Sequence, residues 1–175
     1  MIKNVRFKRI LKNGIFPIFS FLNRVIPKND NLVFLYSANK GCVFSNFVLR
    51  DYLLQNNYDA KYKIVCGIES LKYKDDYERV TFVSGLQSLW TFLQAGHVFY
   101  TAGQLPIKPA KTQCVIHMRH GNEDFKSMGA NTNINNGDEF FFTYMILSSD
   151  LNIKVNARAY KCKEENIVGL GDPMC

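Results

Sequence analysis

The sequence predicts an α/β fold on a parallel sheet, and three observations carry the prediction. Short apolar runs alternate with stretches of helical spacing from about residue 31 to residue 169. The first run, Asn31 to Tyr36, is apolar without interruption through Leu32-Val33-Phe34-Leu35, as expected of a strand buried on both faces. The alternation persists along the whole chain, which calls for right-handed crossovers rather than hairpins.

The elements follow in order. After the strand at 31–36 comes a loop, Ser37 to Gly41, and a helix from about Ser45 to Gln55. Lys63 to Gly67 reads as the second strand and Val80 to Val83 as the third. Ser84 is expected to cap a helix carrying Leu86, Leu89, Trp90 and Leu93, with Gly96 ending it. His97 to Thr101 and Gln113 to His117 are further strands, followed by one over 140–147. Ser149 is a candidate cap for a helix reaching about Lys161, and Ile167 to Gly169 closes the set. Asn122 to Asp138 is polar and rich in Asn and Gly, long for a structureless connection.

Charge divides the chain into 1–28 and 29–175. The first 28 residues hold seven Lys and Arg and no Asp or Glu; the remaining fifteen basic residues balance the fifteen acidic ones. A nucleic-acid binder carries its basic patch on the folded body, so the +7 net charge points instead to an anionic surface. The leader is also apolar, with helical spacing interrupted by Gly14 and Pro17. Its run Ile15 to Leu22 has 8 residues, whereas a membrane span needs about 20. Residues 1–26 therefore read as one or two amphipathic helices on the cytoplasmic leaflet. The alternative is a helix packed on the domain, and Pro27 to Asn31 is the linker in either case.

The five cysteines are odd in number and contain no CxxC pair, so neither zinc nor a disulfide framework is indicated. Cys66 and Cys114 lie in strand-like runs and are expected to be buried thiols. Ser37 to Gly41 carries no Gly-rich phosphate fingerprint; a role lining the acceptor side of a cleft is the functional alternative. Lys108 and Lys111 read as solvated charge or as contacts to a polyanion. His97 and His117 are assigned to structure.

Chemistry concentrates in Gln113 to Gly129, QCVIHMRHGNEDFKSMG. An apolar strand there delivers His120 to its carboxyl end, where open α/β sheets bind ligands. An imidazole titrates near neutrality and can take a proton from a hydroxyl. Gly121 permits close backbone approach, and Lys126 supplies charge for a phosphate. Glu123 and Asp124 are candidates to orient the imidazole.

This segment resembles the central motif of the CDP-glycerol glycerophosphotransferase family of teichoic acid primases and polymerases. There a strand leads into Trp-His-Gly, then a basic stretch and a glycine, matched here by Arg119-His120-Gly121 and Phe125-Lys126-Ser127-Met128-Gly129. His97 to Pro106, Tyr144 to Ser149 and Asn166 to Pro173 resemble three flanking family segments in order over about 80 residues. Arg119 stands where tryptophan is usual, the stretch to Lys126 is about one residue longer, and Met174 replaces a common arginine.

The resemblance implies a Rossmann-like N-terminal half of a GT-B-like transferase, with the nucleotide-binding second domain absent from the chain. It implies CDP-glycerol as donor, a polyanionic or lipid-linked acceptor, His120 as catalytic base, and Gly121, Lys126 and Gly129 as substrate-binding residues. It calls for no metal or other cofactor, and for a peripheral position on the cytoplasmic face of the cell membrane. A homo-oligomer is left open. The alternatives are a non-catalytic membrane-surface module and a transferase of another nucleotide-activated group for a capsule polymer.

Overall fold

A computed structural model describes residues 14–101, 103–119 and 140–171. Seven parallel strands form one sheet in the order β3-β2-β1-β4-β5-β6-β7. They are β1 (Asn29–Tyr36), β2 (Lys63–Gly67), β3 (Thr81–Val83), β4 (Ala95–Tyr100), β5 (Cys114–His117), β6 (Tyr144–Leu147) and β7 (Ile167–Gly169). Helices α1 (Phe16–Val25), α2 (Ser45–Gln55), α3 (Leu86–Gln94) and α4 (Ile153–Tyr160) flank it. The expected α/β architecture is therefore observed.

The order reverses between β1 and β4: the chain builds outward through β2 and β3, then crosses back to β4 on the other side of β1. Right-handed crossovers in opposite directions place their helices on opposite faces. Accordingly α2 packs with Val33, Leu35, Ile64 and Cys66 on one face. On the other face, α1 and α3 cover Leu32, Phe34, Val65, Val98, Tyr100 and Val115. A third cluster seats α4 on Met145, Leu147 and Ile167. β1 lies in the sheet interior between β2 and β4, with Leu32 through Leu35 all buried.

Several boundaries depart from the sequence reading. Pro17 does not interrupt α1; it occupies the first turn, where its missing N–H leaves no bond unmade. The linker shortens because β1 begins at Asn29. Gly85 rather than Ser84 holds the N-cap position of α3, with φ +57, and no side chain caps it. Gly96 lies inside β4 instead of ending the helix. Asn29 and Asp30 of β1 crowd the place a Cβ would take there, so close packing of β1 on β4 selects the glycine. Residues 140–143 precede β6 rather than forming it. Ser149 makes no capping bond and opens a 3-10 turn, Asp150–Asn152, before α4. Cys66 is fully buried, but Cys114 is only half-buried because it sits on the face of β5 opposite Val115.

Candidate active site at the carboxyl edge of the sheet

At the switch point the ends of β1 and β4 lie side by side, Tyr36 in register with Tyr100. Open α/β sheets bind ligands outside such ends. The loops leaving the two strands meet there: Gly103, at φ +79, would bring a Cβ to 2.7 Å from that of Ala38. Only glycine accommodates both the backbone angle and the approach.

β5 joins this edge alongside β4, and beyond it the chain makes an anchored turn. Arg119 has φ +57, a conformation costly for a side chain of its size. Its carbonyl accepts hydrogen bonds from Thr101 Oγ1 at 2.7 Å and Ser45 Oγ at 3.2 Å. Its N–H donates to His117 Nδ1 at 3.3 Å. Ser45, Thr101 and Arg119 are all buried. Two hydroxyls, one from the start of α2 and one from the end of β4, thus fix the peptide that leads into position 120. This constellation was not evident in the sequence, since its members are 74 and 18 residues apart and share no local pattern.

Asn46, fully buried beside Ser45, donates to the carbonyls of Tyr36 and Phe99 and ties α2 to β1 and β4. Its Oδ1 and the Oγ of Ser37 are buried and have no hydrogen-bond partner among the described residues. Buried polar atoms are ordinarily satisfied.

Tyr36 and Tyr100 end their strands here, and burial raises both phenol pKa values above the usual 10.0. Tyr100 is fully enclosed against Phe92 and its hydroxyl reaches the Leu105 carbonyl. Both stay protonated at neutral pH and are unsuited to act as bases. His117 is buried: Nδ1 accepts the Arg119 N–H, and the ring lies 5.5 Å from that of Tyr160 and 5.9 Å from that of Phe142. His97 packs edge-on against Tyr62 in a small apolar hollow under α2. The Lys108 ammonium lies over the Phe141 ring, 5.5 Å from its centroid, so it is not simply solvated charge. Beneath the first loop, Cys66 has its thiol pushed well up by its hydrogen bond with Cys42, which favours the protonated form, and by burial.

The chain passes beyond the described residues immediately after Arg119. His120, Gly121, Lys126 and Gly129, with Glu123, Asp124 and the stretch Asn122 to Asp138, all lie outside them. Among the described residues no cluster of three metal-ligating side chains occurs. Likewise no described helix is long and apolar enough to cross a membrane.

Comparison with known proteins fits this architecture. The structure is similar to that of the wall teichoic acid polymerase TagF, with TM-score 0.70 and 17% identity over 98% of this chain and 45% of that one. A variant of TagF soaked with CDPG gives TM-score 0.68 at 15% identity over 95% of this chain and 46% of that one. This chain therefore spans about half the length of those proteins. No curated protein sequence matches it. The profile of the CDP-glycerol:poly(glycerophosphate) glycerophosphotransferases matches residues 18–175, nearly the whole sequence, and the chain belongs to that family.

Proposed function

We propose that this chain forms the acceptor-side half of a GT-B-like glycerophosphotransferase, working from the cytoplasmic face of the membrane. The donor is CDP-glycerol and the acceptor is a teichoic-acid-type or lipid-linked chain ending in a hydroxyl. His120 is the general base. It takes the proton as the hydroxyl oxygen attacks the phosphorus nearer the glycerol; the bond from that phosphorus to the CMP oxygen breaks, and CMP leaves. A positioned base contributes about 10² to 10⁴ in rate. Gly121, Lys126 and Gly129 bind the phosphates, with Lys126 offsetting charge that builds up on oxygen.

The observation that carries this reading is the family match across residues 18–175, combined with the doubly bonded Arg119 carbonyl at the switch point. Two buried hydroxyls and a left-handed arginine committed to one peptide are best explained by a need to aim the residue after it, His120. The leader's seven basic residues and absence of acids support attachment to anionic lipid.

The test is CMP release from CDP-glycerol with a glycerol-phosphate primer, using the complete reading frame that encodes this chain. His120→Ala is expected to lower turnover at least a hundredfold with little change in donor affinity. Turnover equal to wild type would remove His120 from the mechanism. The 175 residues alone are expected to release little CMP, because relatives of this fold are about twice as long.

A further inference from the structure

We propose that Lys40 and Lys72, gathered on the ring of Tyr73, form a subsite for the phosphodiester chain of the acceptor, behind its reacting end. The inference rests on the transfer reading above and deepens it by saying where the acceptor lies. The two lysines come from different loops. Lys40 belongs to the loop after β1, and Lys72 to the 3-10 turn Leu71–Tyr73 in the loop after β2. β1 and β2 are parallel, so both loops stand at the carboxyl edge. The Lys72 ammonium is 4.6 Å and the Lys40 ammonium 5.3 Å from the centroid of the Tyr73 ring. Two like charges on exposed side chains therefore lie within about 10 Å of each other.

The two loops are fastened together. The Glu69 N–H donates to the Asn39 carbonyl at 3.0 Å, and the Ser37 N–H to the Gly67 carbonyl at 2.9 Å. Gly41, at φ +90, runs so close that a Cβ there would lie 3.4 Å from the Tyr73 carbonyl oxygen. Helix α2 holds the second loop from below. Arg50, fully buried, donates through Nη1 to Asp75 Oδ2 at 2.7 Å, and its guanidinium lies 4.0 Å from the Tyr77 ring centroid. Its Nε donates to Asp51 Oδ1 at 2.9 Å. Arg50 thus takes up the charge of both Asp51 and Asp75, and neither Lys40 nor Lys72 has an acidic partner among the described residues. Two ammonium groups fixed near each other without a counter-charge attract an anion.

The kind of anion follows from the chemistry. Lysine is a point charge on a flexible stem, without the fork by which arginine grips a single phosphate. Two lysines suit repeated phosphates on a chain that must advance after each addition. Phosphodiesters joined through a three-carbon glycerol unit repeat on the scale that separates these two charges. The Tyr73 ring is taken up by ammonium groups, which leaves no stacking platform for a base and disfavours nucleic acid. Asp76 and Glu78 line the adjoining hollow with Tyr77 and Phe82, and repel a polyanion from that side. Along the sheet order β2-β1-β4-β5, the lysines stand two to three strand spacings, roughly 10–15 Å, from the turn that leads into position 120. A chain whose terminal hydroxyl reacts at position 120 meets them with phosphates behind that end.

The probe is a synthetic oligo(glycerol phosphate) several units long, titrated calorimetrically into the protein made from the complete reading frame. Lys40→Gln with Lys72→Gln is expected to weaken binding about tenfold at low salt and to flatten the dependence of log affinity on log salt by about one to two, through lost counterion release. Lys40→Arg with Lys72→Arg, which keeps both charges, should bind as wild type does. Both side chains are exposed, so circular dichroism should not change. In the transfer assay the glutamine variant should show a KM for the oligomer raised by a similar factor. Unchanged affinity in that variant would overturn the proposal. So would equal lysine-dependent affinity for an oligouridylate of the same charge, which would make the site a nucleic-acid contact, or a loss confined to phosphatidylglycerol vesicles, which would make it a lipid contact. CMP release separates this site from the reading beneath it. Release by a glutamine variant that binds the oligomer normally removes the site and leaves the transfer reading. Lysine-dependent binding of the oligomer by a protein that releases no CMP leaves the site and removes the transfer reading.

Discussion

Helices α1 and α2 solve the same problem at opposite ends of one strand. Both turn polar side chains into the domain and hold the polypeptide around β5. α1 grips its amino end, through Asn23 on Gln113 and through Ser20 and Asn23 on Lys108. α2 grips its carboxyl end, through Ser45 on the Arg119 carbonyl, with Thr101, the residue after β4, assisting. Orphaned oxygens occur at both: Asn23 Oδ1 under α1, Asn46 Oδ1 and Ser37 Oγ at the carboxyl edge. The chemistry of the grip therefore does not separate structure from function; its position on the sheet does. Only the α2 end lies where ligands bind an open parallel sheet.

The sharpest way to break the comparison is to cut the amino-end grip. Gln113 donates to the carbonyls of Phe92 and Ala95 at 2.7 and 2.9 Å and accepts from Asn23 at 2.8 Å. Gln113→Ala removes these three bonds and the longer one from the Ala110 N–H, and is expected to cost about 3–5 kcal/mol, read as a fall in the urea midpoint. Catalytic constants of the fraction that remains folded should stay within about twofold, since nothing at the carboxyl edge has moved. A stable Gln113→Ala protein with altered turnover would erase the division between the two ends.

Cutting the carboxyl-end grip is expected to give the opposite balance. Ser45→Ala with Thr101→Val leaves the Arg119 carbonyl buried without either hydroxyl, a loss of about 1–3 kcal/mol. The larger effect is on rate. A misplacement of about 1 Å at a reacting group lowers turnover by about a hundredfold, so kcat should fall by at least tenfold while donor affinity changes little. Full activity in the double variant would mean that the Arg119 clamp is only structural.

Much of this arrangement was legible in advance, and the exceptions have physical causes. β1 and β2 were readable because a strand buried on both faces is apolar without interruption, with glycine where a neighbouring ring leaves no room for a side chain. Gly67 is an instance: a Cβ there would lie 2.6 Å from the Phe34 ring. Gly96 misled, because a glycine after a helical run is ordinarily a terminus, and only the approach of β1 explains it. α1 was visible as amphipathic, but periodicity does not say which of its stripes, Phe16-Phe19-Ile26 or Ile18-Phe21-Val25, meets the domain. The buried Asn23 answers that, through partners about 90 residues away. The Arg119 clamp is of the same long-range kind. The motif residues His120, Gly121, Lys126 and Gly129 were legible only through family resemblance, and no described contact bears on them.

The smallest expected effect lies far from both grips and calibrates them. Arg79 donates through Nε to Asp59 Oδ2 at 2.6 Å and forms a second close bond through Nη2. The pair ties the 3-10 turn Tyr58–Ala60 to the chain entering β3. The hydrogen bond from Arg79 holds the Asp59 carboxyl below its usual 3.8. A depressed carboxyl pKa adds stability above the unfolded value, and that contribution is lost as pH falls through the folded one. Arg79→Ala should therefore be slightly less stable than wild type near neutrality, with the difference closing in acid below the folded pKa. The pair is solvent-exposed, so molar salt should also close the gap. Urea titrations of the two proteins across pH and salt give the comparison. A difference that persisted in acid or in salt would show that Arg79 acts through packing rather than charge, and polar contacts at the surface of this fold would then have to be ranked with the buried ones.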